Sequence, residues 1–566
     1  MPSSNGTTPK VTHVSIKVAG SNLNEATMDK LLEVEVDTTL YTPSMFLLRF
    51  HDDALDMVDS STFDLGKEVI IEFPDANDTY VPVIKGEITS IEPEYTSSWT
   101  SVYAVRGYDY SHRLTRDVKS ETFLQVSASD IVTRVVQAAS AGKLQAQVQS
   151  SSQIYEYFIR SNETALELIH RLARRIGYEV VIAGTTLHFR KPQLSSTTIT
   201  LEWGKTLRSF QPRLSGTGQV SEVTVRGWDM KQKREIVGQA TSSATHPSTG
   251  YGKSGMQASS TFGTAKMLEV NTPVANQSEA DALALSILNT INSGFLEAEG
   301  TCFGSPNIVA GTKLTLSNLG TKFNGTYVVT AAAHRYSPEG GYDTSFTVEG
   351  EQHRLIADLV SDSQRAAHSI DSAGFAAVIG VVTNNKDPDS LGRVKVKFPW
   401  MGDNIESGWA RVATVGGGSS RGLYWLPEIN DEVLVVFEQG DMNHPYVVGG
   451  LYNGTDKPPL ASASDAVKDG AGVFTRVLKT KKHTITLVED SADEKIEIKD
   501  AAGDTIIRMT SKPSPSKIEI IATGDVKVDA ANVTVNGSTK VDVKAPNINV
   551  EATTTLVLKG GTVKIN

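Results

Sequence analysis

The chain is 566 residues long, enough for about three or four domains, and is 39% apolar and 21% charged, ordinary for globular proteins. Its net charge of −11 argues against general binding to phosphate backbones or anionic membranes, and a single cysteine, Cys302, excludes an intramolecular disulfide or a thiolate metal cluster. The N-terminus lacks the charged and apolar regions of a secretory signal, and no run of about 18 apolar residues offers a membrane span. The expectation is a protein made in the cytoplasm that leaves, if it leaves, by an unconventional route.

In chain order, the first third is strand-rich. Leu32 to Asp37 alternates apolar and polar, Val69 to Phe73 reads as a buried strand, and Tyr103 to Asp109 as another. A helix is expected from Ser127, with Asp130 in its first turn and Ile131, Val132, Val135 and Val136 on one face. A second is expected from near Ser161, with Leu166, Ile169, Leu172, Ala173 and Ile176 at helical spacing and Gly177 as its stop. Two strands follow around a turn at Gly184. Val225 to Asp229 (VRGWD) then echoes Val105 to Asp109 (VRGYD), suggesting two related β-barrels within residues 1–355, about 1–205 and 206–355 or interleaved. Residues 242–264 read as a long loop, and a third helix is expected from Ser278 to Asn292, opening with Ser-x-x-Asp and carrying Ala282, Leu285, Ile287, Leu288 and Ile291. Strands return up to residue 355.

Residues 356–374 read as a polar linker. Residues 375–454 hold five short strands with Gly, Asp and Pro turns, the pattern of a small barrel of the oligonucleotide/oligosaccharide-binding (OB) type. A connector with longer strands spans 455–515.

Residues 516–566 carry a ladder. Apolar residues come in pairs separated by one position: Ile518/Ile520, Val526/Val528, Val533/Val535, Val541/Val543, Ile548/Val550, Leu556/Leu558 and Val563/Ile565. The steps between first members run 8, 7, 8, 7, 8, 7, with turn formers such as Asn536-Gly537 and Gly560-Gly561 between pairs. A fixed short period marks a β-helix. Three such strands would complete one coil, so one chain gives little more than two coils, short of the roughly three repeats such folds need. Three interlaced chains would share one core and cover their strand edges, which predicts an intertwined triple-stranded β-prism and a homotrimer. An antiparallel meander is the competing reading.

The order of these pieces resembles the VgrG-type spike of contractile injection systems, a fused hub and central spike of a phage tail. The resemblance is carried by RGYDYSHRL (Arg106–Leu114), ETALELIHRLARRIGYEVVIAG (Glu163–Gly184) and EAEGTCFGSPNIVAGTKLTL (Glu297–Leu316). It is carried most strongly by DPDSLGRVKVKFPW (Asp387–Trp400) with LPEINDEVLVVFEQGDMNHPYVVGGLYN (Leu426–Asn453). It implies a mainly β, non-enzymatic homotrimer without a cofactor. Two barrels per chain would make a six-fold face for a hexameric inner tube protein, flanked by baseplate proteins. A PAAR-repeat tip protein would seat on Val563, Lys564, Ile565 and Asn566. It implies assembly in the cytoplasm, release or action across the cell envelope as part of a particle, and transient contact with a target membrane. An extracellular phage-tail-like particle is the expected branch.

Other motifs read more plainly as structure. Asp387-Pro-Asp389 with Gly392 lacks the closing glutamate of a calcium loop and suits a turn. Gly416 to Gly422 has no Lys-Ser/Thr pair and precedes a strand, so it suits a flexible loop rather than a phosphate cradle. His334, His444 and His483 read as surface or turn residues, and the pairs Asp52-Asp53 and Asp431-Glu432 as solvated turns. No His lies beyond His483 to sharpen a metal-bound tip, and the connector of about twenty residues after Asn453 is too short for an inserted lysozyme domain. An OB protein for sugar or nucleic acid would use Trp400, Trp409, Tyr424 and Trp425, although the acidity argues against nucleic acid.

Overall fold

The computed structural model describes residues 14–97, 99–193, 198–229, 232–243, 249–349, 377–402, 404–468 and 472–565. The expected linker at 356–374 lies outside the described residues. The chain divides into two compact units, 1–451 and 452–566.

The first unit is organised on an eleven-stranded sheet. Its order is Leu207–Leu214, Leu296–Phe303, Gly341–Val348, Ala331–Ser337, Leu31–Thr39, Met45–His51, Ser101–Asp109, Tyr80–Tyr95, Glu68–Pro74, Ser15–Val18 and Ser21–Asn22. Strands from both sides of residue 205 therefore share one sheet, joined where Leu31–Thr39 pairs antiparallel with Ala331–Ser337. Leu31–Thr39 reads LLEVEVDTT, and its Val34 and Val36 are fully buried while Glu33, Glu35 and Asp37 beside them are half-buried, the alternation a one-sided sheet requires. The core on the first side gathers Val34, Phe46, Leu48, Phe50, Ile71 and Tyr103. That on the second gathers Leu207, Cys302, Leu314, Tyr327 and Phe346.

Two helical inserts interrupt the sheet. The first holds helices Ala128–Ser140 and Ala165–Ile176, packed on Tyr110, Phe123, Phe158 and Phe189. Ser127 and Asp130 cap the first of them reciprocally, as expected. The second begins later than expected. Ser161 lies in the strand Ile154–Glu163, and Thr164 with Glu167 forms the capping box. In the second insert, helix Gln277–Ser293 packs on strands Glu222–Asp229 and Arg234–Ala240. Its cap is Asn276, whose side chain accepts from the backbone of Glu279, and it buries Ala280, Leu283, Ala284 and Leu288 while Leu285 is exposed. The expected loop at 242–264 contains a short helix, Gly255–Ser259.

The VRGYD and VRGWD echoes fall in different sheets, the first in the eleven-stranded sheet and the second in a three-stranded sheet of the insert. Each glycine answers a separate close approach. A Cβ at Gly107 would meet the Glu87 carbonyl at 2.2 Å, and one at Gly227 would meet Val274 at 2.5 Å.

Residues 378–451 form a five-stranded sheet ordered Lys395–Lys397, Val378–Asn384, Glu432–Phe437, Pro445–Gly450 and Arg411–Val412. Bridges Val394–Ala410 and Lys397–Glu406 tie its two ends together into a barrel. Its core of Val382, Val396, Phe398, Val433, Val435 and Val447 also takes in Ile159 from the first insert. Arg175, at the C-terminal end of helix Ala165–Ile176, joins three parts of this unit. Its guanidinium donates to Glu279 at the start of the second insert's helix, to Asp441 of the barrel at 3.4 Å, and to the Pro273 carbonyl at 2.9 Å.

Two expectations about polar residues are corrected. Asp52 is fully buried, because the turn that follows folds over it and the backbone N–H groups of Met57 and Val58 donate to its carboxylate at 3.1 Å. His334 is fully buried on strand Ala331–Ser337, stacked beside Phe73, with Nδ1 2.8 Å from the Tyr342 hydroxyl. Burial pushes the imidazole down to about 4 from its ordinary 6.5. The folded chain therefore refuses a proton that the unfolded chain takes up as pH falls below 6.5. Stability on this account is complete above about pH 6.5 and declines by on the order of 3 kcal/mol as pH drops toward 4. Thermal unfolding followed across that range should show the decline, and the His334→Asn variant should show less of it.

Candidate assembly surface

The second unit carries an antiparallel meander of strands Thr475–Lys479, His483–Asp490, Asp493–Asp500, Thr505–Lys512 and Lys517–Ala522. The strands alternate by sequence (HTITLVED, DEKIEIKD, TIIRMTSK, KIEIIA), and the register decides what their alternation produces. One face carries two apolar rows. Leu478, Ile485, Ile498, Ile507 and Ile520 lie opposite one another in succession, as do Leu487, Ile496, Met509 and Ile518.

The other face carries the row Val477, Thr486, Glu497, Arg508 and Glu519. There Arg508 bridges Glu497 at 2.6 Å and Glu519 at 3.3 Å, and Lys499 reaches Glu497 at 3.2 Å. Burial raises the Glu497 carboxyl, but Arg508 and Lys499 outweigh it and hold the group below the usual carboxylate range.

Among the described residues nothing covers the apolar face. Leu487 is 37% exposed, Ile498 43% and Met509 50%. Ile518 and Ile520 belong at once to this face and to the first pair of the ladder. Beyond Ala522, residues 523–565 form no helix or strand within the chain. Val526, Val528, Val533, Val535, Val541, Val543, Ile548, Val550, Leu556, Leu558, Val563 and Ile565 are each 52–86% exposed. The structure thus places the expected core residues together on one segment without covering any of them. Burying such a side chain is worth about 1.5–3 kcal/mol, and contiguous apolar surface of this extent marks an interface. Of the expected tip seat, Val563, Lys564 and Ile565 are exposed, and Asn566 lies outside the described residues. The apolar rows of the meander were not singled out from the sequence. The signal was present in the period-two alternation, but only the pairing register shows the rows aligning.

The Asp387 turn and the Gly416 to Gly422 stretch resolve as structure. The Asp387 carboxylate accepts from the backbones of Asp389, Leu391 and Arg393 and from the Arg393 guanidinium, which holds it far below the usual range, so the turn is saturated by its own donors. Gly417–Gly418 pairs with Arg421–Gly422 as a short hairpin. On the barrel, Arg393 and Lys395 lie over the Trp409 ring at 5.8 and 5.5 Å, and Arg411 lies over Tyr446 at 5.4 Å. Of the four rings singled out from the sequence, Trp409 is engaged in this way, whereas Trp400, Tyr424 and Trp425 are 56%, 79% and 47% exposed. Among the described residues no cluster of three or more His, Cys, Asp or Glu could hold a metal, and no helix is long and apolar enough to cross a membrane.

Comparison with known proteins agrees with this layout. Residues 378–452 match the type VI secretion system/phage-baseplate injector OB domain, and residues 8–338 match the Alg8 N-terminal domain. The type VI secretion system spike protein VgrG3 of Vibrio cholerae is 30% identical over 191 residues, covering 31% of this chain and 18% of that protein. VgrG2a of Pseudomonas aeruginosa is 38% identical over 96 residues, covering 16% of this chain and 11% of that protein. The chain thus spans under a fifth of the length of either relative. In fold, it is similar to the Francisella PdpA-VgrG complex in its half-lidded form, with a TM-score of 0.56 at 9% identity over 92% of this chain and 89% of that one.

Proposed function

This chain belongs to the family of the Alg8 N-terminal domain, and from that premise we propose that it is a VgrG-type spike protein that works as a homotrimeric hub and spike. The observation that carries the trimer is the uncovered apolar surface of the second unit. A one-sided sheet and six further apolar pairs with no strand partners in their own chain need cover, and two more copies supply it with the same residues. In this reading the three 516–566 segments interlace as a β-prism. The apolar pairs fill its core, and each strand edge is covered by a neighbouring chain.

The function is mechanical. The prism is the rigid element that enters a target membrane, contacting it only transiently. A PAAR-repeat tip protein seats at Val563, Lys564, Ile565 and Asn566, pairing with the strand edges that a β-prism would leave open there. The eleven-stranded sheets of three chains present the repeated face on which a hexameric inner tube protein seats, with baseplate proteins around it. The particle is assembled in the cytoplasm and acts across the cell envelope or after release. The protein needs neither an active site nor a cofactor for this work.

The test is the mass of the purified chain in solution by light scattering or native mass spectrometry. Three times 60.9 kDa is the expected result. A stable species at the mass of one chain would overturn the trimer and the spike with it.

A further inference from the structure

The ladder has a weakness as a guide to its own assembly. Moving one chain along another by two steps, fifteen residues, carries Ile518 onto Val533, Val526 onto Val541, Val533 onto Ile548, Val541 onto Leu556 and Ile548 onto Val563. The second members follow: Ile520 onto Val535, Val528 onto Val543, Val535 onto Val550, Val543 onto Leu558 and Val550 onto Ile565. Every apolar residue still meets an apolar residue, and only the overhanging ends lose partners. Register is weakly specified wherever a slip preserves the pattern, so the repeats by themselves permit slipped trimers.

The meander has no such repeat. Its five strands are fixed to one another by hydrogen bonds within the chain, with a single register from Thr475 to Ala522. Its two faces are not interchangeable. Glu497, Arg508 and Glu519 form an ion-paired row on one, and the other is apolar from Leu478 to Ile520 and uncovered. Its last strand, Lys517–Ala522, contributes Ile518 and Ile520 to that face and leads directly into the ladder.

We propose that the meander is the register clamp of the trimer. Its apolar face packs against the same face of two further copies, and this fixes the axial position from which the three ladders interlace. The occupant of the face is a second and third copy because the last strand of the face, Lys517–Ala522, carries Ile518 and Ile520, the first pair of the ladder, whose cover is the same chains. The inference rests on the trimeric reading above and adds where the register is set.

The test uses a deletion that the ladder itself tolerates. Removing residues 526–540 takes out two whole steps, so Val541 follows Ile518 at the spacing Val526 had, and the alternation of 8 and 7 continues. A chain with this deletion and Val541→Cys is co-expressed with a full-length chain carrying Val526→Cys, and separately with a full-length chain carrying Val541→Cys. Both mixtures are oxidised with oxidised glutathione. The native Cys302 is buried, and burial pushes its thiol up to about 12, so it stays out of the reaction.

If the meander sets the register, disulfide-linked mixed dimers form in the first mixture, at equal distance from the clamp, and not in the second. Cross-links in the second mixture instead would show that the C-terminal end of the ladder aligns the chains, and would overturn the clamp. So would an absence of mixed trimers by native mass spectrometry, because ladder length would then choose the partners. A parent chain that runs as a monomer would overturn the trimeric reading itself, an outcome separate from both.

Discussion

Replacing Val541 and Val543 with aspartate is expected to abolish the trimer while leaving the first unit folded. Both residues are aliphatic, more than half exposed in the single chain, and central in the ladder. In the interlaced prism each would face its two counterparts near the axis, so the double variant sets six carboxylates into one short length of core. Buried charges without partners cost several kcal/mol each, more than the replaced valines contributed by burial. Native mass spectrometry should report a single chain near 60.9 kDa. Circular dichroism should retain the signal of helices Ala128–Ser140, Ala165–Ile176 and Gln277–Ser293, which belong to the other unit. A heat-resistant trimer from this variant would mean that the ladder is not the shared core.

The second large effect is expected at Arg175→Ala. Burial disfavours the guanidinium charge, but Glu279 and Asp441 more than offset it and push its pKa above the ordinary arginine value. Burial also raises the Asp441 carboxyl, and Arg175 with His444 outweighs it. Removing Arg175 leaves the almost wholly buried Glu279 facing no cation and leaves the Pro273 carbonyl without its donor. Breaking a buried ion pair from one side costs about 3–5 kcal/mol. The loss should appear as a lower midpoint in denaturant unfolding of the first unit, with the contact between helix Ala165–Ile176 and the barrel the first to open in hydrogen exchange. An apolar triple substitution, Arg175→Met with Glu279→Leu and Asp441→Leu, should recover much of it, since the charges would go together. An Arg175→Ala variant as stable as the parent would show that the network carries no load.

What could be read from the sequence follows from the range of each interaction. Ser127 and Asp130 mark a helix start because a capping box is complete within four residues. Thr164 and Glu167 offer the same signal, and Ser161 drew the boundary away because nothing local shows that it lies within a strand. The ladder is legible because its period is written in residue order. The apolar rows of the meander depend on which residue faces which across four turns, and alternation alone leaves that open. Burial of His334 and Asp52 was illegible for a similar reason. His334 is covered by Phe73 and Tyr342, and Asp52 by a turn whose backbone bonds no composition rule anticipates. The acidity of the chain argues against nucleic acid as a partner, but it is a property of the whole sequence and points to no face.

The join between strands Leu31–Thr39 and Ala331–Ser337 also sets a schedule for synthesis. Arg335 pairs with Glu35, 300 residues earlier in the chain. At a translation rate of about 5–20 residues per second, the first strand waits roughly 15 to 60 seconds for its partner to leave the ribosome. Throughout that interval one side of Leu31–Thr39 is an open β-edge, able to pair with any other nascent chain that presents one. A polysome carrying several copies holds such edges close together, so the hub is most exposed to mispairing while it is being made. A chain halted before Ser337 never closes that edge.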